Sequence, residues 1–169
     1  MRLTVTTPTQ TTDGATRIYE LEAYGSATAP VNLALNRPAT GSTPCAATEG
    51  PEKAVNGSTS GGNPDKFCSG VAGAWLQVDL GATRAISRFE LAHAQAGGEP
   101  ADYNTRAFTI QVSADGSTWS TPVTVTGNTA ANTTHPVSGV SGRYVRLNVT
   151  TPTQTADTAT RIYELRVFG

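Results

Sequence analysis

In the segment FTIQVSADGSTW, residues 108–119, apolar and polar side chains alternate until a turn sequence interrupts them. Successive side chains of a β-strand point to opposite sides, so Phe108, Ile110 and Val112 would share one face. The sequence ADGS at 114–117 contains the small and polar residues that tight turns prefer. The segment therefore predicts a strand, a turn and the start of a second strand, which is a β-hairpin.

The same alternation recurs on both sides of this hairpin. Residues 75–80 read WLQVDL and residues 144–149 read YVRLNV, so each run has one apolar face. The last run of the chain places Glu164 opposite the apolar side chains of Tyr163 and Leu165. No long window shows the 3.6-residue period of an amphipathic helix. These runs predict an all-β sandwich or barrel with little helix.

Length and charge limit the classes of function. A chain of 169 residues is long enough for one complete domain with a sizeable core. Only 15% of the residues are charged and the formal net charge is -1, so the chain lacks the basic surface that binds nucleic acid. No segment approaches the roughly 20 apolar residues that cross a bilayer as a helix, so we expect no membrane span.

The chain has two cysteines, Cys45 and Cys68, on either side of a loop rich in glycine, asparagine and proline. The simplest interpretation is one disulfide that closes this loop, and the alternative is two buried free thiols. A disulfide of this span would stabilise the fold by roughly 3 kcal/mol through the lost entropy of the unfolded chain, and it requires an oxidising compartment. We therefore expect a secreted, extracellular protein.

The chain contains an internal repeat. Residues 2–25, RLTVTTPTQTTDGATRIYELEAYG, match residues 146–169, RLNVTTPTQTADTATRIYELRVFG, at 18 of 24 positions. The offset of 144 residues is close to the size of one sandwich domain, which indicates a tandem array. We therefore interpret residues 1–25 as the C-terminal hairpin of a preceding copy, residues 26–31 as a linker, and residues 32–169 as the complete domain.

The N-terminal copy repeats the apolar pattern of the C-terminal copy. Its Leu3, Val5, Tyr19 and Leu21 correspond to Leu147, Val149, Tyr163 and Leu165. The two copies would compete for one position in the sandwich, and the C-terminal copy has the native connection. A hairpin without its parent sheet is unstable in water, so the N-terminal copy either stays disordered or packs on a neighbouring molecule. We favour the packed form, which predicts self-association.

Residues that would support catalysis are scarce. The chain has two histidines, His93 and His135, and it lacks the GxSxG, HExxH and glycine-rich phosphate-binding motifs. A glycosidase needs two carboxylates across a cleft, and the only close acidic pair near a candidate site is Glu99 with Asp102. We therefore predict a protein without enzymatic activity.

Seven short motifs from Asn32 to Gly169 carry a family resemblance. In chain order they are NLALNRPATGS, KAVNG, WLQVDLG, RFELAH, NTRAFTIQVSADGSTW, RYVRLNV and RIYELRVFG. With these motifs in this order, the chain resembles a discoidin domain, also called the coagulation factor V/VIII C-type domain. The resemblance implies an eight-stranded, jelly-roll-like β-sandwich. Many bacterial members of that family are carbohydrate-binding modules attached to secreted glycoside hydrolases.

The resemblance allows two classes of function. One is a non-catalytic carbohydrate-binding module, the accessory domain of a secreted bacterial glycoside hydrolase or a similar polysaccharide-processing protein. The other is an adhesion-type domain that binds protein or lipid. Lipid-binding members present exposed apolar and basic residues on loop spikes, and this sequence shows no comparable cluster. The expected partner is therefore a glycan.

The candidate sugar site is a segment that begins at His93 and reads HAQAGGEPADYNTR. Sugar-binding discoidin domains carry a His, Asn and Arg constellation at the loop end of the sandwich, and the resemblance assigns it to His93, Asn104 and Arg106. We add Glu99 and Tyr103 because they lie in the same segment. A carboxylate can bind sugar hydroxyl groups, and an aromatic ring can cover the face of a pyranose.

Two of these residues have a structural alternative. His93 has the same strand parity as the apolar Leu91, so it can equally be a core histidine. Arg106 can instead form a surface salt bridge with Glu99 or Asp102.

The resemblance also implies a structural Ca²⁺ site. Its ligands would be main-chain oxygens of Lys53, Ser58 and Tyr163 and side-chain oxygens of Asn56, Asp65 and Glu164. Asn56 stands where the family has an aspartate, and Asp65 can restore the missing negative charge. Without a metal, Asn56 would be a turn residue and Glu164 an outward-facing carboxylate.

Overall fold

A computed structural model describes residues 2–21 and 30–169. The strands in these ranges are β1 (Ala39–Gly41), β2 (Phe67–Ser69), β3 (Trp75–His93), β4 (Ala107–Ser113), β5 (Ser120–Val125), β6 (Asn132–Thr151) and β7 (Thr160–Phe168). Four short 3-10 turns accompany them, at Pro51–Val55, Asn63–Asp65, Ala94–Gly97 and Ala101–Tyr103. None of the described residues forms a helix that is long and apolar enough to cross a membrane.

The alternating pattern in the sequence corresponds to burial in the structure. In β3 the side chains of Leu76, Val78 and Leu80 are buried, and the residues between them are partly exposed. The same core contains the alternating apolar residues of the other runs: Phe108, Ile110, Val112, Val145, Leu147, Val149, Leu165 and Val167. Removal of these side chains from water is the main stabilising contribution to such a fold.

All strand pairs are antiparallel, and the sheet folds into the two layers of a β-sandwich. The strand order is β2-β7-β3-β6-β4-β5, and β1 pairs with β3. Strands β3 and β6 form two ladders of paired residues, which are separated by a break in register between Asp79 and Arg84 of β3. Gly81 lies in this break with a φ of +83°, a conformation that glycine adopts readily. The described residues form seven strands rather than the expected eight, and β3 and β6 each continue through the bend from one layer to the other.

The predicted disulfide is confirmed. Cys45 and Cys68 are bonded, and their Cα atoms are 5.3 Å apart. The Cys45 N–H donates to the Cys68 carbonyl at 2.9 Å, and the Cys68 N–H donates to the Glu49 carbonyl at 3.1 Å. Because Cys68 belongs to β2 and β2 pairs with β7, the bond ties the loop that follows β1 to the edge of the sheet.

Residues 2–21 form no strand, but they keep the local structure of their repeat. The Thr9 hydroxyl donates to the Asp13 carbonyl, and the Asp13 carboxylate accepts hydrogen bonds from the Ala15 N–H and the Arg17 guanidinium. In the C-terminal copy, the same bonds are made by Thr153, Asp157, Ala159 and Arg161. The shared sequence therefore specifies one loop conformation in two different surroundings.

The apolar side chains of the N-terminal copy are not buried as those of the C-terminal copy are. Tyr19 is 98% exposed, whereas its counterpart Tyr163 is fully buried. Leu3, Val5, Ile18 and Leu21 are exposed as well. Most of the predicted linker, residues 26–31, lies outside the described residues.

Candidate functional site

The predicted sugar-binding segment connects β3 to β4 and contains the 3-10 turns Ala94–Gly97 and Ala101–Tyr103. Backbone hydrogen bonds close both turns, from Gly98 to the Gln95 carbonyl and from Tyr103 to the Pro100 carbonyl, each at 3.0 Å. Residues 94–106 therefore form a compact surface at one end of the sandwich, which we call the loop rim.

His93 lies beneath the loop rim and belongs to the core. Its side chain is fully buried, its ring centre is 5.6 Å from that of Phe108, and its Nε2 is 3.2 Å from the Thr133 hydroxyl. Burial, together with the nearby His135, lowers the pKa of His93 to about 4, so the imidazole is neutral near pH 7. A fully buried imidazole has no access to a ligand on the surface.

Asn104 is also fully buried, and its amide holds the loop rim together. Its Oδ1 accepts a hydrogen bond from the Gln95 N–H at 2.9 Å, and its Nδ2 donates to the Thr129 carbonyl at 3.0 Å. These bonds satisfy polar atoms whose burial would otherwise be costly. We therefore correct the expectation that His93 and Asn104 contact a sugar: both support the rim from below, because their side chains are inside the fold.

Glu99 forms the centre of a charged cluster under the rim. Its Oε1 is 2.8 Å from the Lys66 Nζ and its Oε2 is 3.0 Å from the Arg161 Nε. The Tyr163 hydroxyl donates to Glu99 Oε1 at 2.9 Å. Burial of the ring and the negative charge of Glu99 both raise the pKa of Tyr163, so the hydroxyl keeps its proton. We call these four residues the Glu99 cluster. The side chain of Lys66 is only 4% exposed, so the cluster is mostly shielded from water.

Tyr103 and Arg161 place an aromatic ring and a cation at the outer side of the rim. The Arg161 guanidinium lies 4.3 Å from the centre of the half-buried Tyr103 ring, within the range of a cation–π contact. It also bonds the Asp157 carboxylate at 2.8 Å. Arg161 was not among the predicted site residues, because its parity in the last strand is that of the apolar Tyr163 and Leu165. The register shift between Ile162 and Glu164 in β7 changes this parity, and no local sequence signal indicates it.

Arg106 is exposed at the end of the rim. Among the described residues it has no ion-pair partner, so the alternative of a salt bridge to Glu99 or Asp102 is not formed in this structure. Its backbone is fixed by bonds to the Thr151 carbonyl at 3.0 Å and from the Asn128 N–H at 2.8 Å. The guanidinium is therefore accessible from water on an anchored backbone.

The loop after β1 brings four of the six predicted metal ligands together. The Asn56 Nδ2 donates to Asp65 Oδ1 at 2.8 Å, and the Ser58 N–H donates to Asn56 Oδ1 at 2.8 Å. The Gly57 N–H lies 3.2 and 3.1 Å from the two carboxylate oxygens of Glu164. We call residues 56–65 with Glu164 the acidic loop site.

Glu164 is fully buried, because this loop covers the polar side of β7. Its carboxylate forms no ion pair with any residue in the described ranges, and its hydrogen-bond donor is the Gly57 N–H. Burial raises the pKa of Glu164 to about 7, and the nearby Asp65 carboxylate acts in the same direction. Two neighbouring buried carboxylates without a positive partner form the kind of donor set that holds a cation.

The other two predicted ligands were expected to contribute main-chain oxygens. Lys53 lies in the 3-10 turn that ends at Val55, directly before Asn56. Tyr163 lies in β7 next to Glu164, at a bulge where the register with β3 shifts. Both residues are therefore neighbours, along the chain, of the residues that form the acidic loop site.

Residues 38–165 match the family model of the F5/8 type C domain. The matched range includes the loop rim and every predicted ligand residue of the acidic loop site. No curated protein sequence matches the chain.

Several solved structures share the fold. The family 32 carbohydrate-binding module from Streptococcus pneumoniae EndoD is 26% identical, with a TM-score of 0.71, over 82% of this chain and 99% of that one. Chitosan-binding module 2 of a chitosanase/glucanase from Paenibacillus sp. IK-5, solved in complex with chitotriose, is 30% identical, with a TM-score of 0.66, over 82% of this chain and 100% of that one. The lectin domain of lectinolysin, complexed with Lewis B antigen, is 19% identical with a TM-score of 0.65, over 82% of this chain and 96% of that one, and this likeness concerns the fold alone.

Proposed function

Because the chain belongs to the F5/8 type C domain family, we propose that it is a non-catalytic carbohydrate-binding module. The observation that supports this most directly is that similar structures at 26 and 30% identity, which the chain matches almost from end to end, are carbohydrate-binding modules. The disulfide fits a secreted protein, because such bonds persist in oxidising compartments. A role as the accessory domain of a polysaccharide-processing protein accords with these features.

The proposed glycan site is the outer surface of the loop rim. The half-buried Tyr103 ring offers a flat surface to a pyranose, and the exposed Arg106 offers charged hydrogen-bond donors. The partly exposed Asp157 carboxylate, which bonds Arg161, supplies a further acceptor beside the ring. A shallow surface of this kind buries little area, so we expect dissociation constants of about 0.01 to 1 mM.

Replacing Tyr103 or Arg106 by alanine should weaken glycan binding about tenfold or more, because each substitution removes one accessible contact. A tenfold loss of affinity corresponds to about 1.4 kcal/mol of binding free energy. The unfolding temperature should change little, because neither side chain is in the core. A glycan array identifies the ligand, and calorimetry with that ligand gives the affinities.

The matched control for this experiment is Arg84→Ala, which removes another exposed arginine, from the middle of β3 and away from the loop rim. The control should bind as the unmodified protein does. Unchanged affinity in both rim variants would refute the location of the site, and an array without any bound glycan would refute the function.

We also propose that the acidic loop site binds a structural Ca²⁺ ion. The oxygens of Asn56, Asp65 and Glu164, with main-chain oxygens of Lys53, Ser58 and Tyr163, form a set of hard ligands with two negative charges, which suits Ca²⁺. The buried Glu164 carboxylate without an ion-pair partner supports this assignment. A bound ion would neutralise the two carboxylates and hold the loop against β7.

Ca²⁺ should raise the unfolding temperature, and chelation by EDTA should reverse the change. The stabilisation should be about 3 kcal/mol when free Ca²⁺ is about 100 times its dissociation constant, because the ion binds only the folded chain. The shift should be lost in Glu164→Gln, which keeps the shape of the side chain, and retained in Glu90→Gln, a strand carboxylate paired with Arg88. Equal unfolding temperatures of the unmodified protein in Ca²⁺ and EDTA would contradict the site.

For residues 2–21, we propose that they belong to a preceding copy of the domain and pack against another molecule when that copy is absent. The repeat of 18 of 24 residues, the shared loop hydrogen bonds and the exposed apolar side chains support this. The buried counterparts of those side chains show how a sandwich would accommodate them.

Deletion of residues 1–27 should convert an oligomer into a monomer, as measured by light scattering. The full chain should have the higher mass, because Leu3, Tyr19 and Leu21 would otherwise remain in water. The control is Glu20→Gln, a substitution in the same segment that leaves its apolar residues unchanged. Equal, monomeric masses for the full and deleted chains would show that the segment makes no such contact.

A further inference from the structure

Both tryptophans of the chain lie on one outer sheet face, at the opposite end of β3 from the loop rim. Trp75 is the first residue of β3, and Trp119 directly precedes β5. Between them, Gln77 of β3 and Gln111 of β4 lie in register with Arg146 of β6. The next row places Asn148 beside Trp75. We call Trp75, Gln77, Gln111, Trp119, Arg146 and Asn148 the tryptophan face.

Arg146 is held in one orientation on this face. Its Nε and Nη2 donate to Gln77 Oε1 at 3.2 and 2.8 Å. Its guanidinium lies 4.0 Å from the centre of the Trp119 ring and 5.4 Å from that of Trp75. Its Nη1 makes no hydrogen bond within the part of the chain that the structure describes. A cation fixed in this way loses little conformational entropy when it binds a ligand.

The charge of Arg146 is not neutralised by the fold. Four other arginines of the strands form ion pairs, among them Arg143 with Asp79 at 2.7 Å. No described carboxylate forms an ion pair with Arg146. The Asp115 carboxylate, in the turn before Trp119, instead accepts hydrogen bonds from the N–H groups of that turn. The tryptophan face therefore has a positive charge beside two indole rings.

The side-chain amides complete the chemistry of the face. The Asn148 Nδ2 donates to Gln111 Oε1 at 2.9 Å, which aligns the two amides across β4 and β6. Asn148 Oδ1 has no donor among the described residues, so it can accept a hydrogen bond from a hydroxyl group. Indole rings cover pyranose faces, amides bind hydroxyl groups, and a guanidinium binds a carboxylate.

We propose that the tryptophan face is a second saccharide-binding surface, separate from the loop rim, and that it takes an anionic pyranoside such as a uronic-acid oligosaccharide. The indole rings stack on the sugar, Arg146 Nη1 donates to the carboxylate, and Asn148 accepts from a hydroxyl group. The negative charge of the ligand supplies the partner that Arg146 lacks. The proposal does not depend on the loop rim, because the two surfaces share no residue.

Tryptophan fluorescence of the full chain tests this directly, since both emitters lie on the face. Titration with trigalacturonate should change the emission in a saturable way, with a dissociation constant of about 1 mM. The fully methyl-esterified trisaccharide has the same rings without the charges, and it should bind about tenfold more weakly to the unmodified protein. Added salt should weaken the binding of the acid, because the contact is electrostatic and exposed.

Two variants assign the binding to its residues. Arg146→Gln should weaken trigalacturonate binding about tenfold, whereas Arg84→Gln, at an exposed arginine of β3 that belongs to neither surface, should leave it unchanged. The comparison of acid and ester uses the unmodified protein, so it holds even if Arg146→Gln lowers stability. No change of emission up to about 20 mM trisaccharide, equal binding of acid and ester, or loss of binding in Arg84→Gln would each overturn the proposal.

Discussion

Glu99→Gln should lower the free energy of unfolding by about 3 kcal/mol. The substitution keeps the shape of the side chain but removes the charge between Lys66 and Arg161, which lie 2.8 and 3.0 Å from the carboxylate. The Lys66 side chain is almost completely buried, and its other carboxylate neighbour, Glu49, is 3.8 Å away. After the substitution, the buried Lys66 ammonium would have neither water nor a close carboxylate around it. Urea unfolding followed by circular dichroism measures the change.

Glu90→Gln is the matched control for this substitution. Glu90 also bonds an arginine at 2.8 Å, but both side chains of the Arg88 pair are partly exposed, so the change should stay below about 1 kcal/mol. Replacing Lys66 and Glu99 together by Met and Leu should recover part of the loss, because no unpaired ammonium remains. If Glu99→Gln has the stability of the unmodified protein and loses only glycan binding, Glu99 is a ligand contact and not a structural charge.

Gly97→Ala should destabilise the fold by about 3 kcal/mol, because the loop rim packs directly on the Tyr163 ring. A Cβ atom at this position would overlap with the Cε1 and Cζ atoms of the Tyr163 ring. The ring has little room to move, since it is fully buried and its hydroxyl is bonded to Glu99. Thermal and urea unfolding of the variant measure the loss.

Gly70→Ala provides the control, because a Cβ atom there meets nothing within 4 Å. Its effect should be below about 1 kcal/mol. Combining Gly97→Ala with Tyr163→Leu should cost less than the sum of the two single changes, since removing the ring also removes the overlap. Strictly additive effects would show that the residues at positions 97 and 163 do not act through this contact.

The alternation of apolar residues was sufficient to predict the core strands. Leu76, Phe108 and Leu147 are buried where the period of two placed them, because burial on one face of a strand is a local property of the sequence. The path of β3 was not predictable in this way. The alternating run of residues 75–80 stops before Gly81, but β3 continues through this residue to His93, since a glycine with a positive φ can bend a strand without ending it.

The site residues were harder to predict because their environments depend on distant parts of the chain. Glu164 does alternate with apolar neighbours, but whether its side faces water is decided by a loop more than 100 residues earlier. Glu99 binds Lys66 and Arg161, and Asn104 binds Thr129, none of which is adjacent in sequence. The period of a strand assigns a side chain to a face and says nothing about what covers that face.

The passage of β3 and β6 through both layers affects how the protein opens. If each layer had its own strands, one layer could separate from the other while keeping its hydrogen bonds. Here the two ladders of β3 and β6 belong to the same pair of strands, so opening either layer pulls on the other. Native-state hydrogen exchange should therefore give one common free energy for the slowest amides of both layers, with residues 2–21 exchanging fastest. The sandwich would then behave as a single cooperative unit, which suits a module that must keep the residues of its binding surface in fixed positions.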